Sequence, residues 1–180
     1  VTCSQAEDLS EGLVTGDKTS TLMFGIQWDL VLKYLELNED WDTTNEASYY
    51  LKTNSNSWGN YSDATFSVKD ESKHAILNQS TGQLGDWSIV PENYIKPNSG
   101  TESWVLLSTG ASEKNKKMNI YDLAGNLYEW TLEKSITSGR PCVYRGGNYN
   151  FNGSIRPASI RGGDVISLSI SNVGFRCALY

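Results

Sequence analysis

Few side chains in this chain of 180 residues are thiols or imidazoles, the groups that serve most readily as thiolate nucleophiles, soft metal ligands and general bases near neutral pH. They are three cysteines, Cys3, Cys142 and Cys177, and one histidine, His74. The cysteines lack the spacing of a metal site, and their odd number leaves at least one thiol unpaired within the chain. They fit either small buried apolar side chains or a bridge between Cys142 and Cys177 on neighbouring strands. His74 has no Ser or Cys nucleophile motif nearby, and we interpret it as a surface residue.

The composition limits the classes of function. Fifteen basic and 21 acidic residues give a net charge of −6, and the lysine cluster at 114–117 is short, so nucleic-acid binding is not expected. No apolar run reaches the roughly 18 to 20 residues of a membrane span, and the N-terminal "VTCSQAEDLSEG" is unlike a secretory signal. With 38% hydrophobic residues the chain can bury one core. We predict a single domain over 1–180, as the C-terminal part of a longer protein.

Two helices are predicted near the start of the chain. Ser4 and Glu7 have the spacing of a capping box, and Leu9 and Leu13 follow at helical separation, which predicts a helix over about 4–13.

The second predicted helix covers about residues 25–37, in "IQWDLVLKYLEL". Its apolar residues recur at the spacing of one wide helical stripe, typical of a helix that packs one face on a core. The stripe consists of Ile26, Leu30, Val31, Tyr34 and Leu35.

After the helices the sequence changes character. Residues 38–101 are rich in Asn, Ser, Thr and Gly, which predicts a long irregular region anchored by single aromatics, namely Trp58, Tyr61, Trp87 and Tyr94. Residues 102–110 contain a strand or a short buried segment. The stretches 127–133, 141–149 and 173–180 are predicted as strands of an antiparallel sheet. Helices first and strands last indicate the α+β class.

Three blocks in the second half carry a recognisable pattern. They are "NIYDLAGNLYEWTLE", "VYRGGNY" and the terminal "NVGFRCALY". In order and spacing they resemble the signature of the formylglycine-generating enzyme (sulfatase-modifying factor) family, and the two predicted helices resemble the family's upstream helices. The resemblance implies a C-type-lectin-like fold, with two helices packed on a twisted antiparallel sheet and long irregular loops.

The resemblance also locates the redox centre of the family enzymes. Their two cysteines lie four residues after the second glycine of the R-G-G block and five residues further on. Counted from Gly147, these positions hold Phe151 and Arg156. Neither side chain forms a thiolate or binds copper, so we expect no copper and no oxidase activity.

The same resemblance implies a calcium site in the first block. The matching positions are Asp122, Gly125, Leu127 and Glu129, where two carboxylates and two backbone carbonyls would supply the oxygen ligands that calcium prefers. The alternative is that Asp122 and Glu129 only hold the turn that the intervening residues make. Both interpretations stay open at this stage.

Relatives that keep the fold without the cysteines include the variable proteins of diversity-generating retroelements. In these proteins a C-terminal segment is rewritten at adenine-containing codons and forms a ligand-binding surface. Residues 148–172, "NYNFNGSIRPASIRGGDVISLSISN", have the corresponding mixture of small residues and residues of unrelated chemistry. We therefore predict a display surface that binds a protein or glycan ligand. Its predicted members are Tyr149, Phe151, Ile155, Ile160, Asp164, Val165, Ile166, Leu168 and Ile170.

Three functions remain at the level of sequence. The first is a non-catalytic binding module, extracellular on a bacterial surface or a phage virion. The second is an enzyme of the same family with a relocated active site, which a cleft with a perturbed pKa would favour. The third is a purely structural surface domain, in which residues 149–170 would be buried, and Ile166, Leu168 and Ile170 would alternate with serines as a half-buried strand.

Overall fold

The computed structural model describes residues 1–13 and 16–180. Three α-helices occur within these residues, α1 (Cys3–Glu11), α2 (Gly25–Asn38) and α3 (Ala47–Lys52), together with the 3-10 helices Thr101–Ser103 and Glu113–Asn115. None of the helices in this part of the chain has both the length and the apolar character needed to cross a membrane. Short strands make up most of the remaining regular structure, so the predicted α+β class is confirmed.

The strands are short and follow one another along the chain. In order they are β1 (Ser20–Leu22), β2 (Phe66–Ser67), β3 (Lys73–Asn78), β4 (Gln83–Leu84), β5 (Ser88–Ile89), β6 (Ile95–Lys96), β7 (Val105–Leu107), β8 (Lys116–Lys117), β9 (Ile120–Tyr121), β10 (Tyr128–Lys134), β11 (Cys142–Arg145), β12 (Arg161–Asp164), β13 (Val173–Phe175) and β14 (Cys177–Leu179).

The main sheet has the strand order β12-β11-β10-β13. The β10–β11 and β11–β12 pairs are antiparallel, but β13 runs parallel to β10, with Trp130 opposite Phe175. The prediction of antiparallel pairing is therefore confirmed for β10 and β11 but was wrong for the start of 173–180, which is β13. A strand that follows a hairpin must run antiparallel, whereas β13 follows the long connection after β12 and is free to enter in the other direction.

Helix α1 begins earlier than predicted. Thr2 is its N-cap, because the Thr2 hydroxyl accepts from the Gln5 N–H at 3.2 Å and the Gln5 side chain accepts from the Thr2 N–H at 2.9 Å. The capping box predicted at Ser4 and Glu7 was wrong. A Thr followed three residues later by Gln gives the same signal two residues closer to the N-terminus.

Helix α2 has the predicted bounds to within one residue, but its rotation differs. The buried side chains are Trp28, Leu32 and Leu35, whereas Ile26, Leu30 and Tyr34 of the predicted stripe are exposed. Trp28 fixes the rotation, because its indole N–H donates to the Ala158 carbonyl at 3.2 Å. A large ring with a satisfied polar edge outweighs the smaller apolar residues on the opposite face.

The region 38–101 is more structured than predicted. It contains α3 and the short strands β2 to β6, which the loop-like composition concealed. Trp58 and Tyr61 are buried anchors as expected, and Tyr94 is half-buried, but Trp87 is exposed. The strand predicted within 102–110 is present as β7, and those at 127–133 and 141–149 are present as β10 and β11; the stretch 173–180 divides into β13 and β14.

Two buried clusters organise these elements. The first core joins α2 and α3 to the loops through the large side chains Trp28, Leu35, Leu51, Trp58 and Tyr61. The second core lies between α1 and the main sheet and contains Cys3, Leu22, Tyr128, Trp130, Cys142 and Val173.

A disulfide bond joins Cys3 to Cys142 inside the second core, and Cys177 is a free thiol. The bridge considered between Cys142 and Cys177 is therefore absent. Strand β14 pairs with β1, with Leu22 opposite Cys177, and not with β11. Packing of α1 against the sheet brings Cys3 to Cys142 instead, across a sequence separation of 139 residues that no spacing rule could have joined.

Candidate functional site

The candidate display segment, residues 148–172, leaves β11 through two glycines with positive φ. Gly146 has φ 94° and Gly147 has φ 75°, a conformation that L side chains rarely adopt. A Cβ atom at Gly146 would lie 3.0 Å from the Trp28 ring, and one at Gly147 would clash with the carbonyl of Arg156. The two glycines therefore allow the backbone at the start of the segment to pack directly against Trp28 of the first core.

The first half of the segment is fixed mainly through backbone atoms. Its hydrogen bonds run to the facing loop at 51–63 and use few of the segment's own side chains. Those through the backbone of the segment are Ser62 N–H to Phe151 carbonyl (2.9 Å), Ser55 N–H to Gly153 carbonyl (3.2 Å), Ser159 N–H to Leu51 carbonyl (3.0 Å), Gly153 N–H to Asp63 carboxylate (3.0 Å) and Ala158 N–H to Ser55 hydroxyl (2.9 Å). One side chain of the segment takes part, because the Asn152 amide oxygen accepts from the Ser62 hydroxyl at 2.7 Å. A frame built this way keeps its shape when the outward side chains change.

The nine predicted surface residues differ in burial. Exposed members are Ile155, Val165, Ile166 and Ile170; half-buried members are Phe151, Ile160, Asp164 and Leu168; the buried member is Tyr149. We expected the nine to share one face and most of them to be substantially exposed; four are exposed, so the expectation for exposure is only partly met.

Tyr149 is a core residue, so its predicted exposure was wrong. Its side chain has 0% relative exposure and packs with Leu77 and Leu106 in a third small cluster. The hydroxyl lies 3.5 Å from the hydroxyl of Ser171, near the end of the segment. Tyr149 thus ties the start of the segment to its end.

Ile160 and Leu168 also have a structural role. Both pack at the edge of the second core, beside residues of β10 and β11. Ile160 precedes β12 and Leu168 follows it, so the two side chains anchor the segment before and after this strand. The exposed apolar residues of the segment are Ile155, Val165, Ile166 and Ile170.

The exposed aliphatic residues have polar neighbours. The loop from Val165 to Ile170 contains one backbone hydrogen bond, from the Leu168 N–H to the Val165 carbonyl at 3.2 Å. Exposed polar residues of the segment are Asn152, Ser154, Arg161, Ser167 and Ser169. Arginine is a residue type enriched at protein interfaces, and the exposed aliphatic groups add apolar contact area beside Arg161.

The two positions of the family's redox cysteines lie together in space. The guanidinium of Arg156 sits over the ring of Phe151, with 5.2 Å between its Cζ atom and the ring centroid. This distance is typical of a cation–π contact. The local fold thus brings the two positions together, but the side chains present offer neither a thiol nor a copper ligand.

Three of the four predicted calcium ligands, Asp122, Leu127 and Glu129, line a pocket of about 210 Å³, and Gly125 does not. Asp122 accepts from the Gly110 N–H at 2.8 Å, and burial raises the pKa of this carboxyl, although the Gly110 N–H and Arg176 act in the opposite direction. Glu129 accepts from Arg176 through both oxygens, with Arg176 Nη2 at 2.7 Å from Oε1. A guanidinium therefore occupies the carboxylate that calcium would need.

In the arrangement observed, protein groups engage both carboxylates of this pocket. Over residues 1–13 and 16–180, no three His, Cys, Asp or Glu side chains form a group able to hold a metal. Asp122 accepts from the Gly110 N–H and Glu129 neutralises the half-buried Arg176, contacts that favour the alternative interpretation of these two residues.

A charged cluster beside the display segment was missed at the level of sequence. Arg145 is buried and pairs with Asp29 of α2 and with Glu133 of β10, and Arg161 binds the same two carboxylates at 3.0 and 2.9 Å. The cluster connects α2 to three strands of the main sheet. The R-G-G block was the available signal for Arg145, but its acidic partners lie far away in sequence.

Comparison with known proteins identifies the family of this chain. A family model described as the sulfatase-modifying factor enzyme 1-like domain matches residues 36–180. The chain belongs to this family. Among curated proteins and among solved structures, no significant match was found. The sulfatase-modifying factor enzyme 1-like domain covers β2 to β14 and includes the region 38–101, where the motif resemblance is weakest. Helix α1 and most of α2 lie outside it.

Proposed function

We propose that this protein is a non-catalytic ligand-binding module that displays part of residues 148–172 on a constant frame. The observation that carries the proposal is that some residues of the segment hold it on the fold while others face solvent. Its backbone is held by the loop at 51–63, and Tyr149, Ile160 and Leu168 pack inward. The outward positions, including Ile155 and Ile166, contribute little to the fold and are open to substitution.

The pair at 151 and 156 supports a protein without oxidase chemistry. Formylglycine formation by family enzymes depends on two cysteines at these positions, and here Arg156 packs over Phe151. The remaining thiol, Cys177, belongs to β14, which is not a strand of the main sheet, and the other two cysteines are bonded to each other. No pair of thiols is left for copper binding or disulfide exchange.

The finer identity we propose is a variable protein of a diversity-generating retroelement, with a C-type-lectin-like arrangement and a protein or glycan ligand. An extracellular site, on a bacterial surface or a phage virion, fits the disulfide bond, because such bonds persist in oxidising environments. The candidate positions for diversification are the exposed residues Asn152, Ser154, Ile155, Val165, Ile166, Ser167, Ser169 and Ile170.

A relocated active site is the second candidate. It rests on the pocket beside Asp122, whose raised pKa is a feature of many catalytic carboxyls. Glu129 and Arg176 line the same pocket but neutralise each other. A purely structural domain has less support, because only Tyr149 of the nine predicted surface residues is fully buried.

The experiment that tests the proposal has two parts. Sequencing the gene region should find a near-copy of the DNA for residues 148–172 that differs at adenines. The purified protein, given copper, oxygen and a cysteine-containing sulfatase peptide, should form no formylglycine above background. Turnover above background would contradict the non-catalytic role, and a gene without the near-copy would contradict the retroelement identity.

A further inference from the structure

Helix α2 has two apolar faces, and the fold covers one of them. The inner face consists of Trp28, Leu32 and Leu35, which are buried in the first core. The opposite face carries Ile26, Leu30, Tyr34 and Leu37, which are 67%, 61%, 50% and 69% exposed. We call these four residues the outer stripe. A helix that is apolar on both sides is normally covered on both sides.

The outer stripe is a continuous band. At 3.6 residues per turn its members fall within an arc of about 80° on the side away from the core, and they span about 16 Å along the axis. Three of its four residues precede the matched family domain, which begins at residue 36, so the family relationship does not account for the stripe.

An apolar groove of about 420 Å³ continues the outer stripe on one side. It runs between α2 and the last strand, and Leu30 belongs to both the stripe and the groove. The other apolar lining residues are Met23, Val31, Ile120, Leu123 and Ala178. Gln27 links the groove to Tyr180, because its side-chain amide lies 3.4 Å from the Tyr180 hydroxyl, and the Tyr180 side chain is itself exposed.

We propose that a second copy of this chain covers the outer stripe, with the two α2 helices packed antiparallel about a two-fold axis near residue 32. The stripe is symmetric about that point. Reversal of the helix brings Leu30 of one copy beside Tyr34 of the other, and Ile26 beside Leu37. An isologous interface requires this kind of self-complementary pattern. The inference is independent of the function proposed for residues 148–172.

The charges beside the outer stripe have the same symmetry. Asp29 and Lys33 lie one turn apart on one flank of α2, and their midpoint is residue 31. In an antiparallel pair, each Lys33 therefore lies beside the Asp29 of the other copy. Asp29 also binds Arg145 and Arg161, yet its side chain remains 42% exposed. A parallel two-fold pair would place the Asp29 and Lys33 flanks of the two copies on opposite sides of the interface, so it would form no such ion pair.

The available area is close to that of a small stable interface. Four large side chains exposed by half or more present on the order of 500 Å², which is at the upper end for the largest apolar patch of a monomer. A standard interface needs about 800 Å² from each partner. The adjoining groove and Phe24, at the N-terminal end of α2, supply further apolar surface.

The oligomeric state tests the proposal. We expect sedimentation velocity of the intact chain, over a roughly hundredfold range of concentration, to show a monomer–dimer equilibrium. Leu30→Glu should raise the dissociation constant more than tenfold, because it places two charges in the apolar interface. Ile136→Glu is the matched control: Ile136 is fully exposed on the β10–β11 hairpin, far along the chain from α2, and its substitution should leave the equilibrium unchanged.

Cross-linking tests the direction of the helices. Leu30→Cys protein mixed with Tyr34→Cys protein should form a mixed disulfide, because those Cα atoms lie within bonding range only in the antiparallel pair. Preferential disulfides between two Leu30→Cys chains and between two Tyr34→Cys chains would indicate parallel helices and overturn the proposed geometry. A wild-type chain that remains monomeric at every concentration would overturn the dimer itself. The same holds if the monomer binds lipid vesicles through the outer stripe.

Discussion

At the scale of single residues, three cations with little or partial exposure shape this protein. Lys96 and Arg145 are buried, Arg176 is half-buried, and each is held by its own set of oxygen acceptors. For Arg145 the acceptors are carboxylates, and Arg176 binds the Glu129 carboxylate and the Tyr121 carbonyl. For Lys96 the acceptors are the carbonyls of Tyr61, Ala64 and Pro97, at 2.7, 3.0 and 3.1 Å. A buried ammonium without a bound anion is costly, so its protonation should affect stability.

Lys96 makes folding stability depend on pH. Burial lowers the pKa of Lys96 from 10.5 to about 8. Between these two values the unfolded chain keeps the proton and the folded protein releases it. The folded state therefore gains stability as the pH rises from about 8, whereas below pH 8 the full cost of the buried charge is present. Relative to Lys96→Met, wild-type unfolding free energy should rise by roughly 2 to 3 kcal/mol between pH 8 and 10.

Urea unfolding at several pH values measures this difference. Lys73→Met, at an exposed lysine of β3, serves as the control and should follow the wild-type pH dependence. The comparison stops near pH 10, because burial raises the pKa of Tyr61 and Tyr128, and both tyrosines then oppose folding as the pH rises further. Parallel curves for wild type and Lys96→Met would contradict the shifted pKa.

At the scale of elements, the turn between β9 and β10 places an ion pair where a cation site was considered. Glu129 lies in β10, and its ion-pair partner Arg176 directly follows β13. The parallel pairing of β10 with β13 brings these two residues together. Asp122 faces the Gly110 N–H from the other side of the pocket. The contacts favour a turn held by protein groups alone.

Calcium should accordingly have little effect on the wild-type protein. We expect the melting temperature to be the same with excess calcium and with a chelator, because Arg176 already neutralises Glu129. Arg176→Gln removes that cation and should lower the melting temperature, since it leaves a partly buried carboxylate unpaired. A calcium-dependent rise in the wild-type melting temperature, abolished by Asp122→Asn, would instead establish the calcium site.

At the scale of the whole molecule, the segment 148–172 separates stability from recognition. Its anchors lie in the three buried clusters, and its outward side chains contact solvent. The net charge of −6 is spread over the chain, so charge alone does not select a ligand. Recognition then depends on the exposed positions themselves.

The joint replacement of Ile155, Val165, Ile166 and Ile170 by Ser tests this separation. The free energy of unfolding should fall by no more than about 0.5 kcal/mol for each site, because surface changes rarely cost more. Tyr149→Ala should cost roughly 3 kcal/mol or more, since it empties a fully buried position. Urea unfolding compares the two variants. If the variant with all four replacements is as unstable as Tyr149→Ala, the four residues belong to the core.

Several features of the fold and the candidate site could be predicted from local sequence. The bounds of α2, the strands β10 and β11 and the glycine turn at 146–147 follow from spacing and residue type, which act over a few neighbours. Helix α3 and the small strands of 38–101 could not be predicted, because their polar composition is also that of loops. Their regular structure depends on burial of side chains such as Tyr50 and Leu51 against the rest of the molecule.

The sequence by itself determined the α+β class, the family motifs and the loss of both redox cysteines, since all of these depend on residue identity at known spacing. The tertiary structure decided which face of α2 is buried, which cysteines are bonded and which residues of 148–172 face solvent. Each of these depends on partners distant in the chain: Ala158 for Trp28, Cys3 for Cys142, and Leu77 and Leu106 for Tyr149. Contacts at such separations are set by the packing of whole elements, which the local pattern around a residue does not specify.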